Sequence, residues 1–95
     1  MKVKFTLKNV ESKSKETKII DEDDIVSEID KLKAEASNSP VAKRIGAKEI
    51  NSSILYTRSI SGGDKKILYA EISARVSDDP DDEEILLYSI IIDRD

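Results

Sequence analysis

Apolar and polar residues alternate along the first eight positions of the chain. Val3, Phe5 and Leu7 fall on one side of an extended chain, and lysine or threonine occupies the positions between them. A period of two predicts a half-buried β-strand. Residues 9–15 are polar and predict a turn, and residues 17–20 predict a short returning strand.

The period becomes helical after four consecutive acids. Apolar residues then recur every three or four positions, at Ile25, Val26, Ile29, Leu32 and Ala36. This stripe predicts a helix over 22–37 with one face on a core. Acids in the first turn suit the positive end of the helix dipole, and Asp21 with Asp24 resembles a capping arrangement.

A second, shorter helix is predicted directly afterwards. Ser39 is a suitable N-cap, Pro40 suits the first helical position, and Gly46 suits the C-terminal cap. These three residues predict one or two helical turns over 40–45.

Three strands are predicted in the second half of the chain, over 53–60, 65–76 and 84–92. In the middle one, the even-numbered positions from Leu68 to Val76 are apolar and predict the core side.

A hairpin turn at Gly62-Gly63 is predicted to join the first two of these strands. A two-residue loop there would place Tyr56 opposite Tyr69, whereas a three-residue loop would shift the register by one.

The last strand is apolar on both faces, with Ser89 as the only polar residue between 85 and 92. Such a strand is typical of the centre of a sheet and needs cover on both sides. The predicted helix supplies one cover. The second cover comes either from the short helix and N-terminal hairpin, or from a second copy or a partner, so a homodimer through Ile85–Ile92 is one hypothesis.

Together these elements predict one α+β domain over residues 1–95. A chain of 95 residues supports a single core. The expected architecture is a mainly antiparallel sheet of four or five strands with the main helix on one face, in the order β-β-α-(short α)-β-β-β.

Composition excludes several kinds of catalytic site. The sequence contains no His and no Cys, which excludes Ser-His-Asp and Cys-His catalysis and zinc sites built on sulfur. Gly62-Gly63-Asp64-Lys65-Lys66 lacks the spacing of a phosphate-binding loop. We therefore expect a protein that is not an enzyme and needs no cofactor or metal.

Charge is distributed in blocks, although the net charge is only −4. Residues 1–20 and 40–76 each carry +4, whereas 21–39 carry −5 and 77–95 carry −7. The acidic candidates for partner binding are Asp21, Glu22, Asp23, Asp24, Asp78, Asp79, Asp81, Asp82, Glu83 and Glu84. Tyr69 and Tyr88 are candidate aromatic anchors.

The acidic blocks allow two interpretations. If both lie on one side, they form a continuous negative surface that imitates nucleic-acid phosphates and binds a basic nucleic-acid-processing protein. Otherwise, the first block serves the start of the helix, and the second is a solvated turn or, as a further alternative, a calcium-binding loop.

The hypothesis that follows is a small acidic protein-binding module without catalytic activity. Its composition is typical of inhibitors and immunity-type factors of the phage or mobile-element kind. One alternative is a nucleic-acid-binding protein that uses the Lys-rich N-terminal strand, although those lysines also suit a sheet edge kept soluble. The other is a homodimeric structural protein.

The sequence also predicts where the protein is found. No apolar segment is long enough to span a membrane, and residues 1–8 lack the continuous apolar segment of a signal peptide. We therefore expect a cytoplasmic protein with no membrane partner.

Overall fold

A computed structural model describes residues 1–58 and 65–94, and the side chains of residues 1–55 and 69–93. In chain order the elements are β1 (Lys2–Asn9), β2 (Lys15–Asp21), a 3-10 turn (Glu22–Asp24), α1 (Ile25–Ser37), α2 (Pro40–Ile45), β3 (Glu49–Arg58), β4 (Lys65–Arg75) and β5 (Ile85–Arg94). The α+β class and the predicted order of elements are confirmed.

All five strands form one antiparallel sheet in the order β2-β1-β5-β4-β3. β5 lies at the centre, as its apolar sequence predicts. β1 lies between β2 and β5, so the expectation that its lysines protect a sheet edge is wrong: the two edges are β2 and β3.

The core lies between one face of the sheet and α1. Its buried residues are Val3, Phe5, Ile25, Ile29, Leu32, Ala36, Ala70, Ile72, Ala74, Leu87, Ile90 and Ile92. The predicted core side of β4 is confirmed at Ala70, Ile72 and Ala74. Val41 and Ile45 of α2 pack against the same core, so both helices lie on one side of the sheet.

Local sequence explains where the helices begin and end. The Asp21 side chain accepts a hydrogen bond from the Asp23 backbone N–H, whereas Asp24 makes no side-chain cap. In α2, Ser39 Oγ accepts a hydrogen bond from the Ala42 backbone N–H at 3.2 Å. Gly46 ends this helix with φ of 70°, a left-handed conformation that favours glycine.

The register of the sheet shifts at two positions. In the β3–β4 pair, Leu55 lies opposite Tyr69 and Tyr56 pairs with Ile67, so the arrangement with Tyr56 opposite Tyr69 is wrong. The turn predicted at Gly62-Gly63 lies outside the described residues. The second shift leaves Leu87 of β5 without a paired residue in β4, and its side chain is buried in the core.

The molecule has two layers, with a shortest dimension of 20 Å. This matches one sheet and one layer of helices, each about 10 Å thick. The N-terminal hairpin lies within the sheet, and α2 lies on the side of α1. Cover of the second face of β5 by these two elements is therefore not observed in the described part of the chain.

Candidate binding surface

The two acidic blocks lie at opposite ends of the sheet. Asp21 pairs with Lys2 at the start of β1. Residues 78–84 precede β5, whose early residue Tyr88 pairs with Asn9 at the end of β1. The ten residues of β5 separate the two ends by about 30 Å. The single continuous negative surface is therefore not formed.

The first acidic block is engaged in local structure. Asp21 accepts the hydrogen bond from the Asp23 backbone N–H and lies 3.8 Å from the Met1 amino group. The hydrogen bond first, and the positive amino group second, lower the pKa of the Asp21 carboxyl below its usual range. The side chains of Asp23 and Asp24 are exposed. This arrangement agrees with the interpretation of the block as a helix start.

Three side chains of the second acidic block make contacts, one of them within the turn itself. Asp78 forms an ion pair with Lys48 at 2.8 Å. Asp79 Oδ1 accepts a hydrogen bond from the Asp81 backbone N–H at 2.9 Å, which closes the turn around Pro80. Glu84 accepts hydrogen bonds from the side chains of β3 and β4, at Asn51 and Ser73.

The rest of that block faces solvent. The exposed acids Asp81, Asp82 and Glu83 follow Pro80 in the turn. Within residues 1–58 and 65–94, no group of three or more potential ligands is placed to hold a metal ion. The geometry thus agrees with the interpretation as a solvated turn.

The two candidate anchors lie on opposite faces of the sheet. Tyr88 lies opposite Ile72 and packs, half-buried, against the core. Tyr69 lies on the other face, where its hydroxyl donates a hydrogen bond to Glu71 at 2.8 Å. Burial first, and this bond to a negative carboxylate second, raise the pKa of the Tyr69 phenol. The two tyrosines therefore cannot anchor one contact.

The face of the sheet opposite α1 is a second candidate, which we call the open face. Residues alternate between the two faces of a strand, and the register joins the outward positions into rows. Its described members include Lys2, Lys4, Thr6, Lys8, Lys15, Thr17, Ile19, Asp21, Glu49, Asn51, Ser53, Leu55, Tyr69, Glu71, Ser73, Arg75, Ser89, Ile91 and Asp93.

One row of the open face crosses all five strands without a charged residue. Its members, each opposite the next, are Thr17, Thr6, Ile91, Tyr69 and Leu55. Ile91 is 50% exposed and Leu55 is 58% exposed. Sequence reasoning did not identify Leu55, because its exposure depends on the register of β3. The apolar character of both faces of β5 was the signal for Ile91.

Charge divides the open face into two halves. The β1–β2 half carries Lys2, Lys4, Lys8 and Lys15, with Asp21 opposite Lys2. The β3–β4 half carries Glu71 and the ion pair between Glu49 and Arg75. Among the described side chains, Lys4, Lys8 and Lys15 make no ion pair. The face therefore has a basic half and an uncharged row, and beyond the central strand it has Glu71 outside any ion pair of the described residues.

A groove lies on the helix side of the sheet, between α2 and the start of β5. Val41 and Ile45 of α2 form one wall, and Ile85, Leu87 and Tyr88 of β5 form the other. Its volume is about 240 Å³. Arg44 and Glu11, which also line it, form an ion pair with each other. Since the cation already has an anionic partner, the groove offers an apolar surface without an available charge.

Comparison of the chain with protein-family models, with curated proteins and with solved structures gave no match. Neither helix in the described part of the chain is long and apolar enough to cross a membrane. A functional proposal for this protein therefore depends on the geometry and chemistry of its own residues.

Proposed function

We propose that the protein is a binding module without catalytic activity, and that it binds protein through the open face. The observation that supports this proposal is the uncharged row across the sheet. In this row Ile91 is 50% exposed and Leu55 is 58% exposed, although Ile91 belongs to the central strand. A central strand that is apolar on both faces is typical of a sheet covered on both sides.

The arrangement of residues around the row also favours a protein contact. Protein interfaces combine an apolar centre with a polar, solvent-accessible rim. On the open face, the row from Thr17 to Leu55 has a polar row beside it, two residues further along each strand. That row contains Lys15, Lys8, Ser89, Glu71 and Ser53. A partner that covers the face would bury the uncharged row, with Ile91 and Leu55 in it, and leave charged groups at its border.

An inhibitor or immunity-type role is one form of this binding, and it stays a proposal based on composition. The exposed acids Asp81, Asp82 and Glu83 are the part of the second acidic block that could contact a basic protein. Their conversion to Asn, Asn and Gln removes charge but keeps hydrogen-bonding atoms. This variant tests the acidic contact separately from the open face.

The nucleic-acid alternative draws support from the four lysines on the open face. The same face carries the acids Asp21, Glu49, Glu71 and Asp93 among its described residues, and the chain has a net charge of −4. A surface for single-stranded nucleic acid combines basic residues with several aromatic stacking platforms. Tyr69 is the aromatic residue among the described members of the face, so protein binding is the better proposal.

The test is affinity capture from an extract of the source cells, with and without nuclease. The bait proteins are the wild type, Ile91→Lys, the control Val26→Lys and the variant with the three loop acids neutralised. The exposed fraction of Val26 is 48%, similar to the 50% of Ile91, but Val26 lies on α1. The proposal predicts a nuclease-resistant protein that is lost with Ile91→Lys and kept with Val26→Lys.

Other results of this capture contradict the proposal in identifiable ways. A partner bound equally by Ile91→Lys and Val26→Lys would show that the contact does not lie on the open face. A partner lost only when the three loop acids are neutralised would favour the acidic contact. Material released entirely by nuclease would favour the nucleic-acid alternative.

A further inference from the structure

We infer that the occupant of the open face is the same face of a second copy, in a two-fold symmetric dimer. This inference rests on the proposed function, because it names the partner for the same surface. The support comes from the distribution of charge and the order of strands on that face.

Strand order makes the face suitable for two-fold pairing. β5 is the middle strand of five. A two-fold axis that runs between the two facing sheets, parallel to β5, therefore places β5 of one copy over β5 of the other. The same rotation places β1 over β4 and β2 over β3 of the other copy. A symmetric dimer uses one patch twice, and each contact off the axis therefore occurs twice.

Under this rotation, the uncharged row of one copy lies over the uncharged row of the other copy. Ile91 lies on the central strand and meets Ile91 of the second copy. Thr6 faces Tyr69, and Thr17 faces Leu55, because these residues occupy one row in the register. The half-exposed side chains of Ile91 and Leu55 are then both covered.

The charged rows are complementary under the same rotation. Lys8 and Glu71 occupy one row, one strand to either side of Ser89. Each Lys8 therefore faces Glu71 of the other copy, and this pair forms twice. In the next row, Asp93 of the central strand meets Asp93 of the second copy, which is one like-charge contact on the axis. Lys4 of each copy lies beside these two carboxylates and offsets their repulsion. Opposite charges that meet across an interface also select against other orientations.

A two-fold axis between the two facing sheets that runs at right angles to the strands gives a poorer fit. An axis across the strands places β1 on β1 and β2 on β2. Lys4 and Lys8 of one copy then lie against lysines of the other copy, and like charges that meet across an interface are unfavourable. The axis parallel to β5 gives two Lys8–Glu71 pairs against one Asp93–Asp93 contact that Lys4 flanks, so the charge pattern selects this axis.

The size of the face predicts a weak, salt-sensitive dimer. Five strands about 4.8 Å apart and seven paired positions about 3.3 Å apart give roughly 550 Å² for each copy. The total of about 1,100 Å² is close to the lower limit for a specific interface. Twisted sheets that pack face to face at about −30° preserve contact at the centre, where Ile91 lies.

The experiment measures sedimentation equilibrium over a range of protein and salt concentrations. The wild type and the control Val26→Lys form a monomer–dimer equilibrium that shifts toward monomer as salt rises. Lys8→Glu alone and Glu71→Lys alone each create two like-charge contacts in the dimer. We expect each to weaken dimerisation by about a hundredfold or more.

An equal mixture of these two variants provides the decisive arm. In a mixed dimer, Glu at 8 meets Lys at 71 and the native Lys8 meets the native Glu71. Dimerisation is therefore restored, whereas generally misfolded variants would remain monomeric. Circular dichroism melting of each variant at low concentration confirms that the monomers are folded.

Two results would overturn the inference. One is a wild type that stays monomeric at millimolar concentration and low salt. The other is a mixture that dimerises no better than its components. A monomeric wild type that still loses a captured protein with Ile91→Lys overturns the dimer but leaves the proposed function intact. Equal capture by Ile91→Lys and Val26→Lys overturns the function as well.

Discussion

Ile90 and Ile91 are consecutive residues of β5, and they lie on opposite faces of the sheet. Ile90 is 0% exposed and belongs to the core beneath α1, whereas Ile91 is 50% exposed on the open face. An isoleucine side chain therefore stabilises the core at position 90 and forms part of the surface at position 91.

This difference predicts unequal effects of the same substitution. Ile90→Ala leaves a cavity in the core and should lower the free energy of unfolding by about 2–5 kcal/mol. Ile91→Ala removes a half-exposed side chain and should lower it by about 1 kcal/mol or less. Urea unfolding at low protein concentration measures both values. Equal losses would show that the open face is covered within one chain.

Much of the fold was predictable because its elements carry local signals. The alternation of Val3, Phe5 and Leu7 correctly predicts β1, and Ser39, Pro40 and Gly46 correctly predict the limits of α2. These signals involve interactions among residues that are close in the chain. A central position for β5 was also predictable, because few other positions suit a strand that is apolar on both faces.

The candidate binding surface was less predictable because it depends on pairing between distant strands. Leu55, Tyr69 and Ile91 lie in one row only after the register is fixed, and the two shifts in register have no clear sequence signal. The separation of the two acidic blocks has the same origin. Both blocks have similar composition, and only the path of β5 shows that they lie at opposite ends.

Gly46 offers a direct test of backbone conformation at the end of α2. Its φ is 70°, and an added Cβ would meet no atom within 4 Å. Gly46→Ala should therefore destabilise the fold through backbone strain alone, by about 1 kcal/mol. Gly46→Asn should cost less, because Asn tolerates the left-handed region. Thermal and urea unfolding compare the two; an Ala variant as stable as the wild type would contradict the cap.

Asp21 should contribute to the dependence of stability on pH. Its pKa is lowered in the folded protein, so its ionised form stabilises the fold. The contribution is present above the ordinary value of 3.8 and is lost as pH falls through the lowered pKa. Asp21→Asn keeps a capping oxygen but removes the titrating group.

The measurement is thermal unfolding of the wild type and Asp21→Asn between acid and neutral pH. The wild type should lose more stability than the variant across the acid range. Asp23→Asn is the matched control, because the Asp23 side chain is exposed and its own carboxylate forms no hydrogen bond among the described residues. Parallel curves for the wild type and Asp21→Asn would show that Asp21 gains nothing from ionisation on folding.

Glu83 and Glu84 are adjacent acids with different structural roles. Glu84 accepts hydrogen bonds from Asn51 and from Ser73, the latter at 3.0 Å, and so fixes the turn to β3 and β4. Glu84→Ala should lower the free energy of unfolding by about 1 kcal/mol. Both side chains are exposed, but Glu83 makes no side-chain hydrogen bond or ion pair within the described part of the chain, so Glu83→Ala should change the free energy of unfolding by about 0.5 kcal/mol or less. Urea unfolding distinguishes them, and equal losses would argue against a structural role for Glu84.

Tyr69 should ionise at higher pH than an ordinary tyrosine. Burial and the hydrogen bond to Glu71 raise its pKa above 10.0, so the folded state holds this proton more tightly than the unfolded state does. The resulting stabilisation is present below pH 10.0 and is lost as pH rises through the raised pKa. Phenolate absorbance follows the three tyrosines of the chain, and Tyr69→Phe identifies the step that belongs to Tyr69.

Glu71→Gln separates the two causes of this shift. It removes the negative carboxylate but leaves the ring in place, so the pKa of Tyr69 should fall toward 10.0 and keep the part that burial supplies. If dimerisation covers the open face, the part of the shift that burial supplies grows with protein concentration. An absorbance step that is unchanged in Glu71→Gln would show that the hydroxyl does not bind this carboxylate in solution.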